Sequence, residues 1–172
     1  MSEPQFDPIP LLDTLQRHDV DFIVVGAAAA VSQGSPLPTY DLDVTPARNP
    51  QNVERIVAAL IDLDAKLRTP TKPVTFPIDA RMLASGEAWT LDTRFGSLDL
   101  VFAPAGTQGY EDLRRDALLV DLGTDKPVLV ASIRDVIRMK EASAREKDRM
   151  QLPALRRTLE LLRRRERSNL DQ

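Results

Sequence analysis

The 172-residue sequence predicts an α+β (α/β) fold, a mixed β-sheet flanked by helices, with a helical pair at the C-terminus. Three observations point there. Short apolar runs such as "DFIVVG" and "TYDLDVTP" have strand length and strand patterning. Stretches of helical period lie between them. The last forty or so residues carry no strand pattern and repeat leucine at helical spacing. We therefore divide the chain into a core over 1–131 and a C-terminal helical segment over 132–172, packed on that core.

Each element has its own justification. Phe6 to His18 reads as a helix with Ile9, Leu11, Leu12 and Leu15 on one side. "DFIVVG" (Asp21 to Gly26) is a β-branched run ending in glycine, the pattern of a buried strand. "AAAAVSQ" has strong helix propensity, and "GSPLP" ends it. "TYDLDVTP" alternates between prolines and is the next strand. Asn49 caps a helix with Pro50 at its first position, carried by Val53, Ile56, Val57, Leu60 and Ile61. The proline-rich stretch Thr69 to Pro77 is a loop. "AWTLDTRFGSLDLVFAP" is a hairpin, with strands at Trp89–Thr93 and Ser97–Phe102 around a turn at Arg94 to Gly96. Glu111 to Arg115 is a short helical piece, and "ALLVDLG" and "PVLVAS" are short strands. Ser132 caps a helix through Ile133, Val136, Ile137 and Met139. The last helix buries Leu152, Leu155, Leu159 and Leu162.

Composition narrows the chemistry. Apolar residues make up 42% and charged residues 28%, which suits a folded globular chain. With no cysteine, thiolate nucleophiles, disulfides and zinc–thiolate sites are excluded. The single histidine, His18, stands at the end of the first helix, where a cation suits the dipole; we read it as structural. The "MSEPQFDPIP" start is acidic and proline-broken, without a signal-peptide pattern, and no apolar run approaches membrane length. We expect a cytoplasmic protein with no membrane partner. No G-x-x-x-x-G-K-[ST] occurs, and "GAAAAVSQG" lacks G-x-G-x-x-G, so P-loop and dinucleotide-binding chemistry are set aside. Trp89 and Tyr110 read as partly buried hydrophobes with polar tips. Arginines 156, 157, 163, 164, 165 and 167 read as the wet face of the last helix, a face that also attracts anionic partners.

Asp41 and Asp43 stand two apart on a strand, so their carboxylates share a face while Leu42 and Val44 face the core. Two readings are open. One is an ordinary solvated strand face. The other is a divalent-cation site, since neighbouring carboxylates repel unless a cation compensates them, and Mg²⁺ takes oxygen ligands together with substrate phosphates. Asp99, between Leu98 and Leu100 in "GSLDLVF", offers a third carboxylate from a second strand and weighs toward the cation site.

The run "VVGAAAAVSQGSPLPTYDLDVTP" resembles the nucleotidyltransferase fold of DNA polymerase β type. That family shows a strand, a Gly-Gly or Gly-Ser turn, a helix, then G-x-x-R-x-T-x-D-x-D. Gly26-Ala27 stands at the turn, and Gly34, Thr39, Asp41 and Asp43 fill the second motif in register. The segment "IRDVIRMKEASAREKDRMQLPAL" is similar to that of minimal nucleotidyltransferases and AbiEii-type toxins, matched by Lys140, Arg145, Lys147 and Asp148. Two positions depart: Ala27 supplies no serine hydroxyl, and Leu37 stands where the family often has arginine.

The resemblance implies a nucleotidyltransferase-like mixed sheet and transfer of a nucleoside monophosphate from an NTP to a hydroxyl. It implies Mg²⁺ or Mn²⁺ on Asp41, Asp43 and Asp99, with Asp99 also accepting the proton of the attacking hydroxyl. Lys140 is then a triphosphate contact, and Gly26, Ala27, Thr39 and Arg145 border the nucleotide. The implied acceptor is a tRNA 3′ end, a protein or a small molecule, with a cognate toxin or antitoxin as a possible partner. The alternative is a catalytically degenerate binding or antitoxin module of the same fold.

Overall fold

The computed structural model describes residues 6–171. The start of the acidic N-terminal stretch lies outside the described residues. Fourteen elements follow in order: α1 (Ile9–Arg17), β1 (Phe22–Val25), α2 (Gly26–Ser32), β2 (Leu42–Pro46), α3 (Pro50–Asp62), β3 (Lys66–Leu67), α4 (Ala80–Ser85), β4 (Ala88–Thr93), β5 (Gly96–Val101), α5 (Tyr110–Arg114), β6 (Leu118–Val120), β7 (Val128–Val130), α6 (Ile133–Ser143) and α7 (Glu146–Leu170). The strands form one seven-stranded sheet in the order β3-β4-β5-β2-β1-β7-β6. Pairs β2/β5 and β1/β7 are parallel and the rest antiparallel, so the sheet is mixed, as expected.

Several expected signals hold at the atomic level. The Asn49 side chain accepts the Asn52 N–H and Ser132 accepts the Asp135 N–H, so both capping residues start the helices assigned to them. The hairpin turns at Arg94-Phe95, within the expected turn. Leu42 and Val44 are fully buried and join Leu98 and Leu100 on one face of the sheet. Leu152 and Leu155 are buried in α7, with Leu159 and Leu162 packed at the edge of the core. The arginines named on that helix are exposed. His18 is the C-cap of α1 and pairs with Asp62 at 2.9 Å, which accounts for it structurally. Trp89 donates its Nε1–H to the Leu83 carbonyl and stacks on Phe76.

Other expectations need correction. Helix α1 begins at Ile9 rather than Phe6, because Asp7 accepts the Ile9 N–H and Pro8 precedes the first turn. Strand β2 begins at Leu42, so Thr39, Tyr40 and Asp41 lie just ahead of the paired segment. Strand β3 and helix α4 flank the Thr69–Pro77 loop and had no counterpart among the expected elements. β3 has two residues and α4 six, too short for either period to register.

One side chain ties distant parts together. Gln33, at the C-cap of α2, donates to the Ala131 carbonyl at 2.9 Å and accepts the Ile133 N–H at 2.9 Å. The first turn of α6 is thereby anchored to the end of α2. Among the described residues no helix is long and apolar enough to cross a membrane.

Candidate active site

Pairing across the sheet, not the β2 sequence alone, brings the acids together. Asp43 and Asp99 are direct partners in the parallel β2/β5 ladder, and Val25 sits opposite Asp43 on β1. Leu42, Val44, Leu98 and Leu100 take the core face, which turns Asp43 and Asp99 to the other face. Asp41 continues the same alternation from the segment before β2. One carboxylate oxygen from each of Asp41, Asp43 and Asp99 lies within 4.8 Å of the others, and all three residues are half-buried.

Such a cluster of like charges is costly when shielded from water. Burial, with Asp41 and Asp99 adding to it, raises the Asp43 carboxyl to about 7, against a partial offset from Lys140. Burial also raises Asp99, opposed by the Arg68 guanidinium. Gly26 makes the close approach possible. Its φ is +65°, and a Cβ there would overlap Asp43 Oδ2 and stand 3.2 Å from its carboxyl carbon. The glycine that closes β1 therefore backs directly onto the second aspartate.

An oxygen-only donor set from three carboxylates fits a hard divalent cation such as Mg²⁺ or Mn²⁺. Asp99 Oδ1 is buried and receives no aligned hydrogen bond. Thr39 Oγ1 is likewise buried without a partner, two residues ahead of Asp41.

Lys140, on α6, stands close enough for its charge to favour the ionised Asp43 carboxyl. It is not the solvated lysine that is commonest on helices: its side chain is 17% exposed, and its Nζ sits 2.9 Å from Asp148 Oδ1. Asp148 is buried, yet its carboxyl lies well below the usual range. Burial raises it, and hydrogen bonds from Ser143, Lys140 and Arg145 overcome that. Arg145 keeps most of its guanidinium in solvent, with Nε on Asp148 at 2.9 Å. The Lys140–Arg145–Asp148 part of the C-terminal pattern is thus one ionic cluster that closes the turn between α6 and α7. Asp148→Ala is expected to strip Lys140 of its partner and destabilise the fold by about 3 kcal/mol, lowering the melting temperature by about 10 °C. Thermal unfolding followed by circular dichroism checks this.

Sequence reasoning missed Arg68. It follows the two-residue strand β3, and its Nη2 lies 2.9 Å from Asp99 Oδ1. No periodicity flags an arginine placed there by a long-range edge pairing. Leu37 packs against the core, so the departure from arginine at that position fills an apolar site.

No protein-family model matches the chain, and no curated protein matches it in sequence. Solved structures do match. A lincosamide antibiotic adenylyltransferase, LnuA, bound to lincomycin superposes with a TM-score of 0.55 at 15% identity, over 86% of this chain and 92% of that one. The chain has the nucleotidyltransferase fold. The antibiotic-resistance factor ANT(2'')-Ia superposes on this fold with a TM-score of 0.54 at 14% identity, over 95% of this chain and 92% of that one. Its complex with adenylyl-2''-tobramycin gives 0.51 at 14% identity, over 93% and 94%. Within the nucleotidyltransferase fold of this chain, Asp43 and Asp99 lie on the central strands β2 and β5, and Asp41 immediately precedes β2.

Proposed function

We propose that this chain is a divalent-cation-dependent nucleotidyltransferase that moves a nucleoside monophosphate from an NTP to a hydroxyl of a small-molecule acceptor. The observation that carries the reading is the convergence of Asp43 and Asp99 from adjacent strands, with Asp41 just ahead of β2, in a nucleotidyltransferase fold. The similar structures are described as an adenylyltransferase of lincosamides and as a protein holding an adenylylated tobramycin, which supports a small-molecule acceptor.

Asp41, Asp43 and Asp99 would hold Mg²⁺ or Mn²⁺, which when bound neutralises phosphate charge and polarises the phosphorus under attack. The chain's own residues do the rest. Gly26, Ala27 and Thr39 border the nucleotide, and Gly26 leaves room beside Asp43. Lys140 and Arg145, placed by Asp148, face the triphosphate with positive charge. Asp99 accepts the proton of the acceptor hydroxyl. The acceptor oxygen bonds to the α-phosphorus, the α–β anhydride bond breaks, and pyrophosphate leaves with its electron pair. Positioning and charge neutralisation supply the rate.

The same reading places the protein in the cytoplasm and treats 132–172 as a helical segment packed on the 1–131 core. A tRNA 3′ end or a protein hydroxyl, within a toxin–antitoxin pair, stays as the acceptor implied by the AbiEii-like segment; the exposed arginines of α7 favour RNA among these. A binding or antitoxin module without turnover is the second reading, favoured by Ala27 and Leu37, neither of which brings a polar side chain to the site.

Each of four α-labelled NTPs, with Mg²⁺, is offered with small polyhydroxylated molecules, total RNA and protein. Wild type is compared with Asp41→Ala/Asp43→Ala. Label that depends on the two aspartates establishes transfer and names the acceptor class. No label, with Mg²⁺-nucleotide still raising the melting temperature, favours the binding module. Neither transfer nor binding returns the acids to a solvated strand face.

A further inference from the structure

Arg68 is held by a frame that owes nothing to the acidic triad. Its backbone N–H donates to the Thr90 carbonyl at 3.0 Å. Its Nε donates to Asp92 Oδ1 at 3.0 Å, and its Nη2 to the Leu91 carbonyl at 2.7 Å. Asp92 Oδ1 is itself steadied by the Ser97 hydroxyl at 3.0 Å. All of these partners belong to the β4/β5 hairpin. Once they are satisfied, Nη2 stands 2.9 Å from Asp99 Oδ1.

That last contact is a charge contact without an aligned hydrogen bond, since Oδ1 has no hydrogen-bond donor. The guanidinium is committed to β4 and meets Asp99 by position alone. Among the described residues, Arg68 is the only cation within ion-pair distance of a triad carboxylate; neither Asp41 nor Asp43 has one. The side chains of Arg68 and Asp99 are 30% and 17% exposed, so solvent screens the pair only in part.

We propose that Arg68 is a positioning residue for Asp99: a built-in counter-charge that fixes the third carboxylate beside Asp43 and competes with a divalent cation for it. The inference rests on the reading of the triad as a cation site. A purely structural Arg68 would staple β3 to β4 through Asp92 and leave cation affinity untouched. A counter-charge on Asp99 lowers the affinity of the whole site, because the cation meets three carboxylates of which one is already shared.

The test is binding of Mn²⁺ alone, read from the loss of the free-ion electron paramagnetic resonance signal at pH 8. Wild type, Arg68→Gln, Arg68→Lys and Asp43→Asn are compared. Arg68→Gln keeps an amide donor on the side chain and removes the charge, and is expected to bind Mn²⁺ about tenfold more tightly than wild type. Arg68→Lys keeps the charge and is expected to stay within about threefold of wild type. Equal or weaker binding by Arg68→Gln overturns the proposal while leaving the cation site standing, provided that Asp43→Asn abolishes the binding. Mn²⁺ binding that Asp43→Asn does not affect removes the cation site and the proposal together. If Arg68→Gln is unfolded without metal, saturating Mn²⁺ is expected to restore its circular dichroism spectrum, the cation taking over from the lost guanidinium. A variant that stays unfolded in saturating Mn²⁺ overturns the proposal.

Discussion

Replacing Asp43 by asparagine is expected to abolish nucleotidyl transfer and, at the same time, to make the metal-free protein more stable above neutral pH. The loss of activity follows from removing the central carboxylate of the cluster, with a fall of about a thousandfold or more in turnover. The gain in stability follows from the sign of the carboxyl's shift. Asp43 titrates near 7 in the fold and near its ordinary 3.8 when unfolded. Between those values the folded chain keeps a proton that the unfolded chain releases, so stability falls as pH rises through this window. Above about pH 7 the whole penalty is present. The full shift corresponds to about 4 kcal/mol, and partial exposure reduces the share recovered in practice to about 2. At pH 8 the asparagine variant is therefore expected to melt about 4–8 °C above wild type in EDTA. At pH 4 the two should converge. Mg²⁺ should stabilise wild type and leave the variant unmoved. A variant that melts lower than wild type at pH 8 would show that the carboxylates repel less than their spacing implies.

Gly26→Ala has the opposite signature. Two effects add: an alanine at φ +65° is strained by about 1 kcal/mol, and its Cβ would overlap the Asp43 carboxylate. Asp43 has to leave its place, so the substitution is expected to destabilise the fold by about 2–3 kcal/mol and to weaken Mn²⁺ binding at least tenfold. Gly34→Ala is the control. Its φ is +99°, yet no atom lies within 4 Å of the added carbon. It should show the strain without the loss of binding. Isothermal titration with Mn²⁺, run beside thermal melts, separates the two. Equal Mn²⁺ affinity in wild type and Gly26→Ala would mean that the turn does not shape the site.

Much of this was legible in the sequence, for identifiable reasons. Asn49 and Ser132 announce α3 and α6 because capping is chemistry between near neighbours. The β4/β5 hairpin shows because both strands and the turn fall in one window. Asp41, Asp43 and Asp99 could be proposed as a set because alternation assigns faces, although only the β2/β5 register brings Asp99 level with Asp43. Arg68 escaped notice because its role depends on the β3/β4 pairing, whose strand is two residues long. Asp148 was visible as a pattern position but not as a buried acid, since nothing local shows that Lys140, Ser143 and Arg145 will converge on it. Lys140 has, in the sequence, the local pattern of any solvated helix lysine for the same reason.

The Gln33 amide has a consequence for how the molecule opens. Its two hydrogen bonds stitch α2 to the entry of α6, so the helical pair is not a detachable hairpin leaning on a finished sheet. Displacing α6 breaks a side-chain clasp at the end of the helix that starts from Gly26 and pulls on the Ala131 N–H, which donates to the Val24 carbonyl on β1. The lysine-bearing helix and the glycine turn thus belong to one cooperative unit. Fluctuations that expose the acidic cluster are expected to be concerted openings of that unit rather than independent fraying of its last two helices.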